Sequence, residues 1–125
     1  MLGVALLLSG GCGQVKWQAE EKYASVPPKE EVYLPMPAPP RAVEVRVEAK
    51  SSGVPIELYL VKANNPEEAE RIVRKQDTNQ FICSAIGKVD PVREGKLAVD
   101  NGYVIVLINT SRDKSAPVTV RITEK

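Results

Sequence analysis

Histidine is absent from this chain of 125 residues. Its absence removes the commonest general base and the commonest zinc ligand. Aromatic residues make up only 5% of the chain, too few for a base-stacking platform. Lys plus Arg number 17 against 16 for Asp plus Glu, so no surplus of positive charge supports binding to nucleic acid. No apolar run approaches the roughly 20 residues that cross a bilayer. A Gly-rich phosphate loop, a Ser nucleophile motif and metal-ligand spacing are also missing. These absences weigh against an enzyme. No cofactor, metal or small-molecule substrate is expected.

What is present begins at the N-terminus. Residues 1–11 read MLGVALLLSGG and lead into Cys12. Val4 to Leu8 form a short apolar run, and Ser9, Gly10 and Gly11 are the small residues a signal peptidase needs near its cut. With Cys12 next in line, the segment resembles a bacterial lipoprotein signal. The implied chemistry is a thiolate that takes a lipid, followed by acyl chains that hold the protein to a membrane. Two features depart from the pattern. Ser9 stands where such signals carry Leu, and no Lys or Arg precedes Lys16. The alternative is a buried N-terminal strand followed by a Gly turn.

Lipidation of Cys12 leaves Cys83 without an intramolecular partner. Cys83 lies in the apolar run Phe81-Ile82-Cys83-Ser84-Ala85-Ile86, which reads as a core position. A Cys12–Cys83 disulfide is the other option.

Residues 12–41 read as a lipid-anchored tether. Pro27, Pro28, Pro35, Pro37, Pro39 and Pro40 crowd this stretch, and proline favours extended backbone. Trp17, Tyr23 and Tyr33 are its candidate partner contacts, on an arm that either lies on the domain, meets the membrane interface or docks on a partner.

Residues 42–125 read as an antiparallel β-sandwich of about six to seven strands with one short helix in a crossover. Val43, Val45 and Val47 alternate with Glu44, Arg46 and Glu48, which gives one apolar and one charged face. Ser51-Ser52-Gly53 is a turn, and a second strand runs from Val54 to Val61. Asn65 followed by Pro66 and two acids is a helix start, with Ala69, Ile72 and Val73 as the buried stripe. Further strands are expected at 80–86, 96–99, 103–109 and 117–123. Asp100-Asn101-Gly102 suggests a hairpin between two of them. Val104 to Ile108 are consecutively apolar, which marks a central strand buried on both faces.

The pattern strand, turn, strand ending in YLVK, acidic helix, GYVIVLINTS, charged loop and PVTVRI is similar to the GOLD domain. The pre-peptidase C-terminal domain has a comparable ending. Tyr103, Asn109 and Thr110 occupy the matching positions. The resemblance covers roughly residues 42–124 and implies a non-catalytic binding or adaptor module; it implies no ligand residues.

The remaining candidates have ordinary explanations. Asn109 at a strand end suits a hydrogen bond to the following loop, although Asn109-Thr110-Ser111 also spells a glycosylation sequon. Asp77, Asp90, Asp100 and Asp113 fall in loops but lack the spacing of a calcium site. Glu67, Glu68 and Glu70 suit a helix N-terminus. Lys62, Arg71, Arg74 and Lys75 suit a solvated face or a contact to anionic lipid or polysaccharide. The sequence therefore points to a lipoprotein of the cell envelope, on the outer membrane or cell surface. It would be a structural or interaction module with a protein partner. The alternative is an accessory subunit of a membrane assembly whose N-terminal arm docks on a partner.

Overall fold

The computed structural model describes residues 21–99 and 101–125. Among them, eight strands and one α-helix form two antiparallel four-stranded sheets. The strands are β1 Lys22–Val26, β2 Glu31–Met36, β3 Val43–Lys50, β4 Ile56–Lys62, β5 Phe81–Lys88, β6 Val92–Leu97, β7 Tyr103–Asn109 and β8 Ala116–Glu124. The helix is α1, Pro66–Arg74. One sheet runs β1-β8-β3-β6 and the other β2-β7-β4-β5.

Alternating sequence determines which side of each strand meets the core. Val43, Val45, Val47 and Ala49 of β3 are buried, while Glu44, Arg46 and Lys50 are exposed. In the same way Val118, Val120 and Ile122 of β8 point inward. They meet Ile56, Leu58 and Leu60 of β4 and Ile105 and Leu107 of β7, so the main core lies between the sheets. β7 is central and buried on both faces, as its unbroken apolar run requires.

The second face of β7 is covered by α1. Ala69, Ile72 and Val73 pack on Tyr59, Val61, Val104 and Val106 and form a second apolar cluster. The helix starts where expected. The Asn65 side chain accepts from the Glu68 amide at 2.8 Å, and the Glu68 carboxylate accepts from the Asn64 amide at 2.7 Å. The cap satisfies the Glu68 amide, which the first turn leaves unpaired, and the Glu68 side chain reaches back to the residue before the cap.

Three expectations change. The sandwich already includes residues from Lys22, ahead of the expected Ala42, and the described residues hold eight strands. Residues 22–36, read as part of a spacer, supply an edge strand to each sheet. β1 pairs with β8 and β2 with β7. Proline is compatible with this because Pro27 and Pro28 make the turn between the two strands, and Pro35 lies on an edge strand, which tolerates a missing amide donor. Next, the strand expected at 96–99 is observed at Val92–Leu97. Finally, residues around Asn101-Gly102 do not close a hairpin. β6 and β7 belong to different sheets, so the chain crosses between them here. The Tyr103 hydroxyl accepts from the Ala98 amide at 2.7 Å and secures that crossing. A Cβ on Gly102 would come within 2.8 Å of the Ala63 carbonyl, so close approach of two backbones requires glycine there. Cys12, Trp17 and the leader 1–11 lie outside the described residues.

Asn109 is fully buried and every polar atom of its side chain is engaged. Its Nδ2 donates to the carbonyls of Val26 at 3.0 Å and Lys114 at 2.7 Å, and its Oδ1 accepts from the Ser111 amide at 2.9 Å. The local bond to the following loop is the one expected from sequence. The bond to Val26 reaches across to the other sheet. An amide buried in this way is no glycan acceptor in the folded protein.

Two substitutions test this architecture. Asn109→Ala leaves two carbonyls and one amide without a partner and is expected to cost about 2–4 kcal/mol in urea unfolding. Gly95→Ala would place a Cβ within 2.5 Å of the Ile82 side chain. It is expected to cost about 1–3 kcal/mol through overpacking.

Candidate functional site

Cys83 is the one nucleophile candidate the sequence offered within the described residues. It is a free thiol, half-buried against the main core. Burial pushes its pKa up to about 11, and the nearby Arg93 charge only partly opposes this. A thiol held protonated in this way is a packing group rather than a nucleophile. The acids do not gather either. Among the described residues, no group of three potential metal ligands is found. Asp77 follows α1, and Asp90 and Asp113 lie in separate loops. Asp100 is outside the described residues. Glu68 caps α1, and Glu70 pairs with Arg74 at 2.5 Å.

Three surfaces remain. The first is the loop end at which Asn109 sits. Gly53, Val54, Pro55, Thr110, Ser111, Asp113 and Lys114 line an open cleft there of about 370 Å³. The Ser111 hydroxyl accepts from the Lys114 amide at 3.1 Å, so this loop is a closed local turn. On the opposite strand connection, Ser51 is buried and donates to carbonyls of Val54 and Val89, which fixes the other wall. The cleft offers hydroxyls and one charge of each sign.

The second surface is the outer face of the β1-β8-β3-β6 sheet. Among the described residues, no helix covers it. The register sets Tyr23, Thr119 and Lys50 in one row and Arg121, Glu48 and Val92 in the next. Its charges are largely matched among themselves. Arg121 meets Glu21 at 3.4 Å, Arg46 meets Glu94 at 3.9 Å, and Lys125 meets Glu94 at 2.9 Å. The Lys125 contact holds the Glu94 carboxyl below its ordinary range. Tyr23 is 67% exposed on this face.

The third surface is the outer face of the β2-β7-β4-β5 sheet beyond the helix. Glu31, Ile108, Glu57 and Ile86 form one cross-strand row, and Tyr33, Val106, Tyr59 and Ser84 form the next. The Tyr59 hydroxyl donates to Glu57 at 2.8 Å, and the Tyr33 hydroxyl donates to Glu31. Burial, then the bond to Glu57, pushes the Tyr59 hydroxyl up to about 12. Burial and the Glu31 contact raise Tyr33 in the same direction.

The structure therefore separates the tyrosines proposed as partner contacts. Tyr23 and Tyr33 lie on opposite outer faces of the sandwich. The paired Tyr–Glu arrangement was missed from sequence, yet a signal exists. Glu31-Val32-Tyr33 and Glu57-Leu58-Tyr59 repeat one Glu-x-Tyr spacing, which a strand's period of two places on one face.

No protein-family model matches the chain, and no curated protein matches it significantly. Its fold is similar to that of solved structures. One is PliG of Aeromonas hydrophila, a periplasmic lysozyme inhibitor of g-type lysozyme. That match has a TM-score of 0.60 and 12% identity and covers 86% of this chain and 87% of that one. Another is the Yersinia pseudotuberculosis-derived mitogen, with a TM-score of 0.57 and 12% identity over 86% of each chain. A carbohydrate-binding module from Cellvibrio mixtus lichenase 5A is more distant, at a TM-score of 0.45 and 8% identity over 87% of this chain and 90% of that one. At these identities the likeness is one of fold.

The titrations are testable. Because the folded-state value of Tyr59 lies above its ordinary 10.0, stability is full below about pH 10 and is expected to fall as pH rises through about 12. Glu57→Gln should move the Tyr59 phenolate transition, followed by ultraviolet absorbance, back toward 10. Iodoacetamide alkylation of Cys83, mapped by peptide mass, should be slow at pH 8 and accelerate only as pH approaches 11.

Proposed function

We propose that this protein is a lipid-anchored, non-catalytic interaction module of the cell envelope, held by Cys12 and presenting its sandwich to a protein partner. The observation that carries the reading is the joining of a lipoprotein-like leader, LLLSGGC, to a sandwich whose buried polar groups close its own loops. Asn109 and Ser51 tie strand ends together, and Cys83 packs against the core.

The fold likeness supports the setting. A sandwich of this shape serves Aeromonas hydrophila as a periplasmic inhibitor of a lysozyme, a role that is recognition of another protein. Among the described residues, no helix is long and apolar enough to cross a membrane. Attachment in this reading comes from acyl chains, of which more than one is needed for a firm hold. The outer membrane or cell surface is favoured because Gly13 rather than Asp follows Cys12.

Pairing of residues 22–36 within the sandwich bears on the alternative of an accessory subunit with a docking arm. Those residues already have partners in β7 and β8. Docking would then use residues 12–21, including Trp17, together with the exposed Tyr23.

Intact mass of the protein from its native membrane fraction tests the anchor. The expected mass is that of residues 12–125 plus acyl chains, and Cys12→Ser should yield an unlipidated, unprocessed chain. An unprocessed mass for the native protein would overturn the anchored reading.

A further inference from the structure

The two outer faces of the sandwich differ in how their charges are met. On the β1-β8-β3-β6 face, acids and bases alternate and bridge one another. On the other face, Glu31 and Glu57 meet no cation among the described residues. Each is instead held by the tyrosine two residues along its own strand. A tyrosine hydroxyl fixes a carboxylate in place and leaves its negative charge intact.

The geometry is specific. Glu31 of β2 and Glu57 of β4 both register with Ile108 of β7. Two strand spacings separate their backbones by roughly 10 Å. Ile108 lies between them as a partly exposed apolar floor, and Ile86 continues the same row at 61% exposure. Helix α1 covers the neighbouring half of the sheet through Val61, Val104 and Val106; Ile108 packs on the edge of that cluster and stays partly exposed, and Glu70 and Arg74 of α1 lie near Tyr33. The result is an apolar strip with a fixed negative charge on either side of Ile108.

We propose that this strip is the docking surface for an extended basic segment of a partner protein, one that carries Arg or Lys beside an aliphatic side chain. Charge complementarity selects the occupant. Two carboxylates without an ion-pair contact among the described residues attract cations and repel acidic chains, and Ile86 with Ile108 favours an aliphatic neighbour. Tyr33 and Tyr59 act as positioning residues, since they orient the carboxylates rather than touch the occupant. The inference rests on the reading of the sandwich as an interaction module and is independent of its lipid anchor.

The test uses the full chain and a synthetic hexapeptide of alternating Arg and Leu, with a Glu/Leu hexapeptide as control. Binding is followed by amide chemical-shift changes and by calorimetry at low salt. The expected result is shifts confined to β2, β7, β4 and β5 around Ile108, no binding of the acidic peptide, and several-fold weakening in 0.5 M salt. The double variant Glu31→Gln/Glu57→Gln should lose about tenfold in affinity, and Ile86→Ser a smaller factor. Glu44→Gln/Glu48→Gln on the opposite face should bind unchanged. The isosteric Gln changes keep the fold testable by its amide spectrum, and Ile86→Ser gives an independent reading should the double variant be perturbed. Equal affinity of the double Gln variant, shifts on the opposite sheet, or no binding of the basic peptide would overturn the proposal. Such a result would leave the anchor reading untouched, just as an unlipidated mass would leave this one standing.

Discussion

The Asn109 amide is the point on which the two sheets are tied at one end. It sits at the last residue of the central strand β7 and hydrogen bonds to the end of β1 and the start of β8's approach at Lys114. Its backbone amide also donates to the Glu30 carbonyl at 3.0 Å, just before β2. One residue thus holds the turn that joins the two edge strands, although those strands belong to different sheets. A buried amide with all of its side-chain polar atoms satisfied favours one arrangement of the surrounding backbone, because any slip strands a polar group away from water. The loop-end cleft and the positions of Glu31 and Tyr33 all depend on that arrangement.

At the opposite end the crossings are held differently. Tyr103 secures the β6-to-β7 passage through the Ala98 amide, and Arg41 pairs with Glu124 at 2.6 Å beside the start of β3. The Arg41–Glu124 pair is partly shielded, so it is less screened than the open pairs on the sheet face. Together with Asn109 these contacts clamp both ends of the sandwich, while the strands between them are held by apolar packing.

The difference between the two outer faces follows from the helix. An apolar run such as Val104–Ile108 needs cover on both faces, and α1 provides it over Val104 and Val106. Ile108 packs only on the edge of that cluster and stays partly exposed. Its row is where the Tyr-held carboxylates stand. On the other sheet no helix packs among the described residues, and its outer face solves the same exposure problem with alternating charge. One face is therefore neutralised within itself, and the other carries acid without an ion-pair contact among the described residues beside exposed apolar surface.

Much of this was written in local pattern. Alternation in β3 and β8, the Asn65-Pro66 helix start, the doubly buried β7 and the Asn109 loop contact each depend on residues close in sequence, where period and capping act directly. The edge strands β1 and β2 were obscured because proline density signals extended backbone without saying whether a neighbour pairs with it. The Asn-Gly turn was misread for a related reason. It marks a sharp change of direction, and only the sheet assignment of β6 and β7 decides that the chain crosses over instead of returning. The Tyr–Glu pairs required knowing that β2 and β4 flank β7. The sequence by itself determined the strands, the helix and the faces they bury, because periodicity is a property of consecutive residues. Tertiary structure alone decided which strands are neighbours, and with that which charges form ion pairs among the described residues and which do not, because pairing between distant segments is set by the packing of the whole core.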